Sequence, residues 1–253
     1  EHAVTFAAGM AKAGLKPVFA VYSSFLQRAY DQILHDVCLQ KLPVVFAIDR
    51  AGIVGKDGAT HQGIFDLSYL SSIPNLTIMA PKNKWELSDM LKFAIAADYP
   101  VAIRYPRGDA CDLWKEMRAP IVQGRAEVLC EGTDVALFAI GTMVETAWKV
   151  KEQLVEREIT ATVVNARFMA PLDEKAILSA AEKYPLIVTM EENVVSGGFG
   201  EHIAALLKEH EAKVKVLPVA IENRFVEHGD VETLRRVLGI DEKTITDRIC
   251  EEL

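Results

Sequence analysis

Short apolar runs alternate with segments of helical periodicity along the whole chain. The run at 41–49, KLPVVFAID, has no polar alternation, which is typical of a strand buried on both faces of a parallel sheet. In the segment 23–40 apolar residues recur every three or four positions, as on one face of a helix. The same two patterns predict further strands at 18–22, 76–81 and 101–105 and further helices at 3–13, 65–73 and 84–97.

A segment at 108–124 breaks this rhythm, and beyond it strands and helices alternate again up to the C-terminus. Strands that alternate with helices of roughly ten to fifteen residues indicate parallel sheets covered by helices on both faces. The length of 253 residues also exceeds that of an average domain. The sequence therefore predicts two α/β domains, at 1–118 and 119–253, each with a parallel or mostly parallel sheet flanked by helices.

Polar segments directly follow three strands of the first predicted domain, at 22–24, 49–63 and 106–108. In α/β sheets of this type, ligands bind beyond the carboxyl ends of the strands. The second segment, DRAGIVGKDGATHQG, contains four glycines, and glycine lets a backbone approach a ligand closely. We therefore expect the three segments to form one site at this edge of the sheet.

Three arginines lie at or just after these strand ends: Arg28, Arg50 and Arg107. A guanidinium group matches the geometry of a phosphate, so several of them at one edge predict an anion pocket. The alternative is that each arginine pairs with a carboxylate at the surface. That alternative is weaker for all three together than for any one of them.

The same edge carries two pairs of side chains suited to binding and proton transfer. Asp57 and His61 lie in the glycine-rich segment, and a histidine can donate or accept a proton near neutral pH. Tyr22 and Phe25 follow the first strand and offer an aromatic face and a hydroxyl group. The alternatives are an Asp-Gly turn with a solvated histidine, and simple core packing of the two aromatic rings.

Composition narrows the class of partner. A formal net charge of −8 argues against nucleic acid or an anionic membrane surface as the main partner. No apolar run approaches the roughly 20 residues that cross a bilayer, and the four cysteines lie far apart, as is typical of reduced thiols in the cytoplasm. No metal-binding spacing is visible. The glycine-rich segment 196–202 is more typical of a tight strand-to-helix turn or an interface contact than of an anion site.

Several stretches resemble the 1-deoxy-D-xylulose-5-phosphate synthases, a family of thiamine-diphosphate enzymes in the transketolase superfamily. They are EHAVTFAAGMAKAGLKPVFAVYSSFLQRAYDQILHDV, LPVVFAIDRAGIVGKDGATHQGIFDLSYL and YPRG, all within the first 108 residues. Beyond that point the resemblance is looser and rests on RFMAPLD and TMEENVVSGGFG. It covers essentially the whole chain.

The resemblance implies a transferase that condenses pyruvate with D-glyceraldehyde 3-phosphate, with release of CO2, to 1-deoxy-D-xylulose 5-phosphate. This product feeds isoprenoid precursors and, in bacteria, thiamine and pyridoxal phosphate synthesis. Enzymes of this kind use thiamine diphosphate and Mg²⁺ and are usually dimers, so we expect a homodimer in the cytoplasm.

The resemblance also implies three domains, of which this chain matches the second and third, the C-terminal two-thirds by domain count. The family's Mg²⁺ signature, G-D-G followed by an Asn, is absent, so the metal ligands are expected in a missing N-terminal domain or on a partner chain. The family's catalytic glutamate would lie one residue before Glu1. The chain alone is therefore expected to be inactive.

Residue roles follow from matching positions in the family. Phe25 resembles the aromatic residue that stacks on the aminopyrimidine of the cofactor. Asp57 and His61 resemble the polar pair that orients the reacting groups. The substrate-binding residues, around the phosphate and aldehyde of the acceptor, are Tyr22, Arg28, Arg50 and Arg107.

Two other readings remain open. The β-subunit of a 2-oxoacid dehydrogenase has the same two-domain layout and naturally lacks the diphosphate domain, but it has no need of a sugar-phosphate pocket. A non-catalytic interaction module is the second alternative, because half of the cofactor site is absent.

Overall fold

The structure is a computed structural model that describes residues 1–109 and 111–253; Ala110, within the predicted linker, lies outside them. Its strands form two five-stranded sheets, ordered β1-β2-β4-β3-β8 and β10-β9-β6-β7-β5. The strands are β1 (Val18–Tyr22), β2 (Val45–Asp49), β3 (Thr77–Met79), β4 (Val101–Arg104), β5 (Glu127–Cys130), β6 (Val135–Ala139), β7 (Ala161–Asn165), β8 (Phe168–Ala170), β9 (Leu186–Val194) and β10 (Lys215–Ile221). Both sheets are parallel except for one antiparallel strand each, β8 and β5. The predicted fold class is confirmed.

Helices flank the first sheet where the periodicity predicts them, at His2–Lys12, Asp66–Ser71 and Lys84–Ala96. Asn83 caps the last of these, because its side chain accepts a hydrogen bond of 2.8 Å from the Glu86 N–H. The predicted helix at 23–40 is instead a composite of short helical pieces that ends in a π-helical segment at Ile33–Cys38. In a π-helix each hydrogen bond spans one residue more than in an α-helix, and such segments are frequent at functional sites.

Helices also cover the second sheet, and they lie at Met143–Val155, Glu174–Lys183, Phe199–Glu209, Val231–Val237 and Glu242–Glu252. None of the helices in residues 1–109 and 111–253 has both the length and the apolar character needed to span a membrane. Strand β9, which lies between β10 and β6, is buried along its whole length, as expected for an interior strand of a sheet covered on both faces.

The two halves of the chain share structure across the predicted boundary. Strand β8 comes from the second half but pairs with β3 at the edge of the first sheet. A buried ionic cluster lies beside it, in which Arg167 donates to Glu86 at 2.7 Å and pairs with Glu127 at 3.0 Å. Lys82 pairs with both carboxylates, so the four formal charges balance. The division at residues 118 and 119 stays a prediction.

Candidate active site

The three polar segments meet at one edge of the first sheet. Strands β1, β2 and β4 are adjacent and parallel, so their carboxyl ends lie side by side, with Tyr22 in register with Asp49. The segments that follow these strands carry all seven predicted site residues. This parallel order is the physical reason why residues up to 85 positions apart in the sequence come together (Tyr22 and Arg107).

Asp57 is the centre of the charged part of the site. Its carboxylate accepts hydrogen bonds from the guanidinium groups of Arg50 and of Arg107, the latter at 3.0 Å. The Arg50 guanidinium also lies over the Tyr22 ring, 4.1 Å from its centroid, as a cation–π contact. The two guanidinium groups thus share one carboxylate and both line the second cleft, where they can donate to an anionic ligand in place of Asp57.

The aromatic part of the site continues from Tyr22. The Tyr22 and Phe25 ring centroids are 5.4 Å apart, and Phe25 meets the His61 ring edge-to-face at 5.4 Å. Arg28 lies over the other side of the site, with its guanidinium carbon 5.8 Å from the Phe25 centroid. His61 Nδ1 is 2.9 Å from the Thr60 hydroxyl oxygen, which orients the imidazole. An unbroken series of contacts therefore joins Arg107 to His61.

The predicted residues divide between two clefts. The first, of about 390 Å³, is lined by Phe25, Arg28 and His61 among others. The second, of about 530 Å³, is lined by Arg50 and Arg107 together with residues of both halves of the chain. Asp57 and Tyr22 both contact Arg50, which lines the second cleft. Tyr22 also contacts Phe25, which lines the first cleft.

Close backbone packing explains the glycines of the loop. Gly52 and Gly63 exchange two backbone hydrogen bonds of 2.6 and 2.8 Å, which close the loop into a narrow neck. A Cβ atom on Gly63 would lie 2.1 Å from the Arg50 carbonyl oxygen, and one on Gly52 would lie 2.1 Å from Glu192 Oε2. A side chain at Gly63 would therefore force the neck open, whereas one at Gly52 would displace the Glu192 carboxylate and be strained by the φ of +80°.

The second half of the chain supplies parts of the site that the sequence did not indicate. Phe225 lines the first cleft and meets Phe65 edge-to-face at 6.2 Å. In the second cleft the buried Glu192 accepts a hydrogen bond of 2.8 Å from Arg235 and one of 3.3 Å from Thr142. The proximity of Glu192 raises the pKa of Arg235. The only signal in the sequence was a position at the carboxyl ends of strands of the second sheet: Glu192 lies near the end of β9, and Thr142 and Phe225 follow β6 and β10.

The glycine-rich segment 196–202 forms a strand-to-helix turn. The Glu191 carboxylate accepts hydrogen bonds of 2.8 Å each from the N–H groups of Phe199 and Gly200, at the start of the helix. The helix N-terminus is thus neutralised by a carboxylate of the same domain. Burial raises the pKa of Glu191 to about 7, although the two N–H donors lower it.

The first cleft fits an aromatic, hydrogen-bonding ring. The Phe25 side chain remains 40% exposed at its wall. The Ser24 hydroxyl oxygen is buried at the same cleft and has no hydrogen-bond partner among the described residues, so it is free for a polar ligand atom. By contrast, residues 1–109 and 111–253 contain no cluster of three His, Cys, Asp or Glu side chains suited to a metal ion.

Two domain families match the chain, one on each side of the predicted linker. Residues 1–111 match the pyrimidine-binding domain of transketolase, and residues 124–245 match the transketolase C-terminal domain. Together these matches span most of the chain, which therefore belongs to the transketolase family. The fold agrees with a solved split-gene transketolase, described as an inactive β4 tetramer, at a TM-score of 0.88 and 28% identity over 97% of this chain and 79% of that one.

Within this family the curated relatives are synthases. Over its whole length the chain is 56% identical to a 1-deoxy-D-xylulose-5-phosphate synthase from Lachnoclostridium phytofermentans, of which it covers 40%. It is 51% identical, over 99% of its length, to the synthase from Caldanaerobacter subterraneus subsp. tengcongensis, again covering 40%. These matches confirm the predicted resemblance. The chain spans a smaller share of these relatives than the two-thirds expected from a count of domains.

Proposed function

We propose that this chain forms the pyrimidine-binding and acceptor-binding part of a 1-deoxy-D-xylulose-5-phosphate synthase. The reaction is the condensation of pyruvate with D-glyceraldehyde 3-phosphate, with release of CO2. The observation that carries this proposal is the continuous series of contacts from His61 through Phe25, Tyr22, Arg50 and Asp57 to Arg107. In this series His61, to which we assign proton transfer, lies at one end, and the two arginines lie towards the other.

Phe25 and Ser24 are the residues that would contact the aminopyrimidine of thiamine diphosphate. When bound, this cofactor supplies the nucleophilic carbon and accepts the electrons released by decarboxylation, so the protein has to position groups and move protons. The diphosphate and Mg²⁺ would be held by residues outside this chain, in a further domain or on a partner chain. The described residues offer no metal cluster of their own.

The two arginines and Asp57 suit a phosphorylated acceptor. An incoming phosphate competes with Asp57 for the Arg50 and Arg107 guanidinium groups and gains charge-assisted hydrogen bonds. With the phosphate fixed, the aldehyde is held in register with the reacting carbon. His61 would then donate a proton to the aldehyde oxygen. Asp57, once the phosphate has replaced it as the hydrogen-bond acceptor of the two arginines, would orient the acceptor.

Three further properties belong to this proposal. We propose that the active enzyme is a homodimer, that it works in the cytoplasm, and that its partners are small molecules rather than nucleic acid or membrane. The split-gene transketolase that shares the fold is described as inactive as a β4 tetramer. This description supports the expectation that the present chain is inactive alone.

The test uses a polypeptide that joins this chain to the remaining length of the synthases. It is incubated with thiamine diphosphate, Mg²⁺, pyruvate and D-glyceraldehyde 3-phosphate, and the release of CO2 and 1-deoxy-D-xylulose 5-phosphate are measured. The expected result is product formation that requires the phosphorylated acceptor. Transfer of the acetyl group to a lipoyl acceptor instead would favour the 2-oxoacid dehydrogenase subunit.

A second measurement concerns the chain by itself. Calorimetric titration with thiamine diphosphate and Mg²⁺ is expected to show weak binding and no turnover. Sub-micromolar binding would contradict the division of the cofactor site between this chain and residues outside it.

A further inference from the structure

Gln62 connects the loop that carries Asp57 and His61 to the second half of the chain. Its side chain is buried, with 2% exposure. The Val54 N–H donates to Gln62 Oε1 at 2.8 Å, and Gln62 Nε2 donates to the Glu227 carbonyl oxygen at 3.0 Å. Both polar atoms of one amide are thus used to join two backbones that are far apart in sequence.

The same loop rests directly on the segment that follows Glu227. The Gly229 N–H donates to the Gly55 carbonyl oxygen at 3.4 Å. A Cβ atom on Gly55 would lie 3.0 Å from the Gly229 carbonyl oxygen, and one on Gly58 would lie 3.4 Å from His228 Cβ. The turn at 55–58 is therefore seated on 227–229, most tightly at Gly55, and both glycines have a positive φ that disfavours a side chain.

The amide lies between the groups that the proposed reaction uses. Gln62 is the neighbour of His61 in sequence, and its partner Val54 also accepts a hydrogen bond of 3.5 Å from Arg107 through its carbonyl oxygen. The turn between Val54 and Gln62 holds Asp57, which pairs with Arg50 and Arg107. A shift of this turn would move the acid, the histidine and the arginine together.

We propose that Gln62 is a positioning residue for catalysis. It holds the turn with Asp57 and His61 on the segment 227–229, so that the C-terminal domain fixes the geometry of the active site in the first domain. The catalytic consequence rests on the proposed function, whereas the effect on the loop itself does not. Displacement of reacting groups by about 1 Å can lower a rate by roughly a hundredfold, so we expect a large effect on kcat from Gln62, which lines the first cleft but uses both polar atoms of its amide to hold two backbone segments.

The variant Gln62→Met removes both hydrogen bonds at nearly constant volume, and Gln123→Met is its control. Gln123 also bridges the two halves through its amide, since it donates to the Thr77 hydroxyl at 2.7 Å, but it lies far from the site loop in sequence and contacts none of its residues. In the complete enzyme we expect kcat to fall about ten- to a hundredfold for Gln62→Met and to stay within about twofold for Gln123→Met.

A double-mutant cycle separates positioning from general destabilisation. If Gln62 acts through His61, the Gln62→Met change should have less than about a twofold effect on kcat when His61 is already Ala, because coupled residues are not additive. A full, additive loss in the His61→Ala background would overturn the proposal. So would an unchanged kcat for Gln62→Met.

A second variant, Gln62→Glu, keeps the acceptor for Val54 and regains the donor to Glu227 only when its carboxyl is protonated. The ratio of its kcat to that of the wild type should therefore rise as the pH falls, and a ratio independent of pH would contradict the role of the donated bond.

Hydrogen exchange of the 53–61 amides, measured on this chain, should be faster in Gln62→Met than in Gln123→Met. Equal exchange would overturn the proposal even if the synthase assay fails, whereas faster exchange without synthase activity would reject only the proposed function.

Discussion

The chain contains two glycine-rich segments at the carboxyl ends of buried strands, and they use their polar groups in opposite ways. Near the end of β9, the Glu191 carboxylate is 1% exposed and accepts hydrogen bonds from the N–H groups that begin the next helix, beyond the glycine-rich segment. After β2, the side chains of Arg50 and Asp57 each remain 23% exposed beside a cleft, and that of Arg107, after β4, remains 45% exposed.

This difference distinguishes a structural turn from a site. Glycine content and position at a strand end are the same in both segments, so neither feature marks function by itself. What differs is whether the charged groups are balanced internally. Glu191 completes a helix end, whereas Arg50 and Arg107 share the single carboxylate of Asp57 and line a cleft.

The largest expected effect tests the outward-facing segment. In the complete enzyme, His61→Ala should lower turnover by roughly 10²–10⁴, the usual range for a positioned proton donor or acceptor. Stability should change little, because the histidine lies in a surface loop. Steady-state kinetics and thermal unfolding measure the two effects, and unchanged turnover would make His61 a solvated turn residue.

The inward-facing segment predicts a pH effect on stability instead. Burial raises the pKa of Glu191 from 4.5 to about 7, so the folded state holds one more proton than the unfolded state between these pH values. The free energy of unfolding therefore falls as the pH rises through this window, by about 3 kcal/mol in total at about 1.4 kcal/mol per pKa unit. Glu191→Gln should remove this pH dependence.

Urea unfolding of the wild type and Glu191→Gln between pH 5 and 8 provides the measurement. The variant should gain stability relative to the wild type as the pH rises. Glu201→Gln is the matched control, because that glutamate lies in the same turn but is exposed. Parallel curves for the wild type and Glu191→Gln would show that the buried carboxyl keeps an ordinary pKa.

The arginines give the next effect in size. Loss of charge-assisted hydrogen bonds in Arg50→Ala or Arg107→Ala costs about 1.5–3 kcal/mol each. The KM for D-glyceraldehyde 3-phosphate should rise roughly tenfold to more than a hundredfold, and that for pyruvate should hardly change. Equal losses with unphosphorylated glyceraldehyde would rule out a phosphate contact.

The smallest effect is expected at Arg28. Its guanidinium is exposed and lies over the Phe25 ring at 5.8 Å, an arrangement that contributes about 0.5–1 kcal/mol. Arg28→Ala should therefore change the KM for the phosphorylated acceptor by no more than about fivefold. A loss as large as that of Arg107→Ala would place Arg28 among the phosphate-binding groups.

The parallel strands were predictable from sequence because burial on both faces removes polar alternation, as in β2 and β4. The antiparallel strands β5 and β8 were not, since each adjoins another strand with no helix between them, β6 and β7 respectively, and so departs from the alternation of strands and helices. The composite helix at 23–38 was predicted as one regular helix at 23–40. Periodicity gives the buried face but does not reveal a change from α to π geometry.

The site was predictable to the extent that it lies at strand ends. All seven predicted residues come from segments that a parallel sheet brings to one edge, and the structure joins them by contact. Gln62, Phe225 and Glu192 were not predictable, because their importance depends on how the second half of the chain packs against the first. That packing is set by a buried ionic cluster whose members carry no distinctive spacing.

Strand β8 has a consequence for the order in which the protein is made. The first sheet is completed at its β3 edge by residues 168–170, so the first half of the chain leaves the ribosome with that edge uncovered. Until β8 arrives, β3, which is buried in all three residues, is open to pairing with other chains. The first sheet is therefore completed only after part of the second half of the chain has been synthesised.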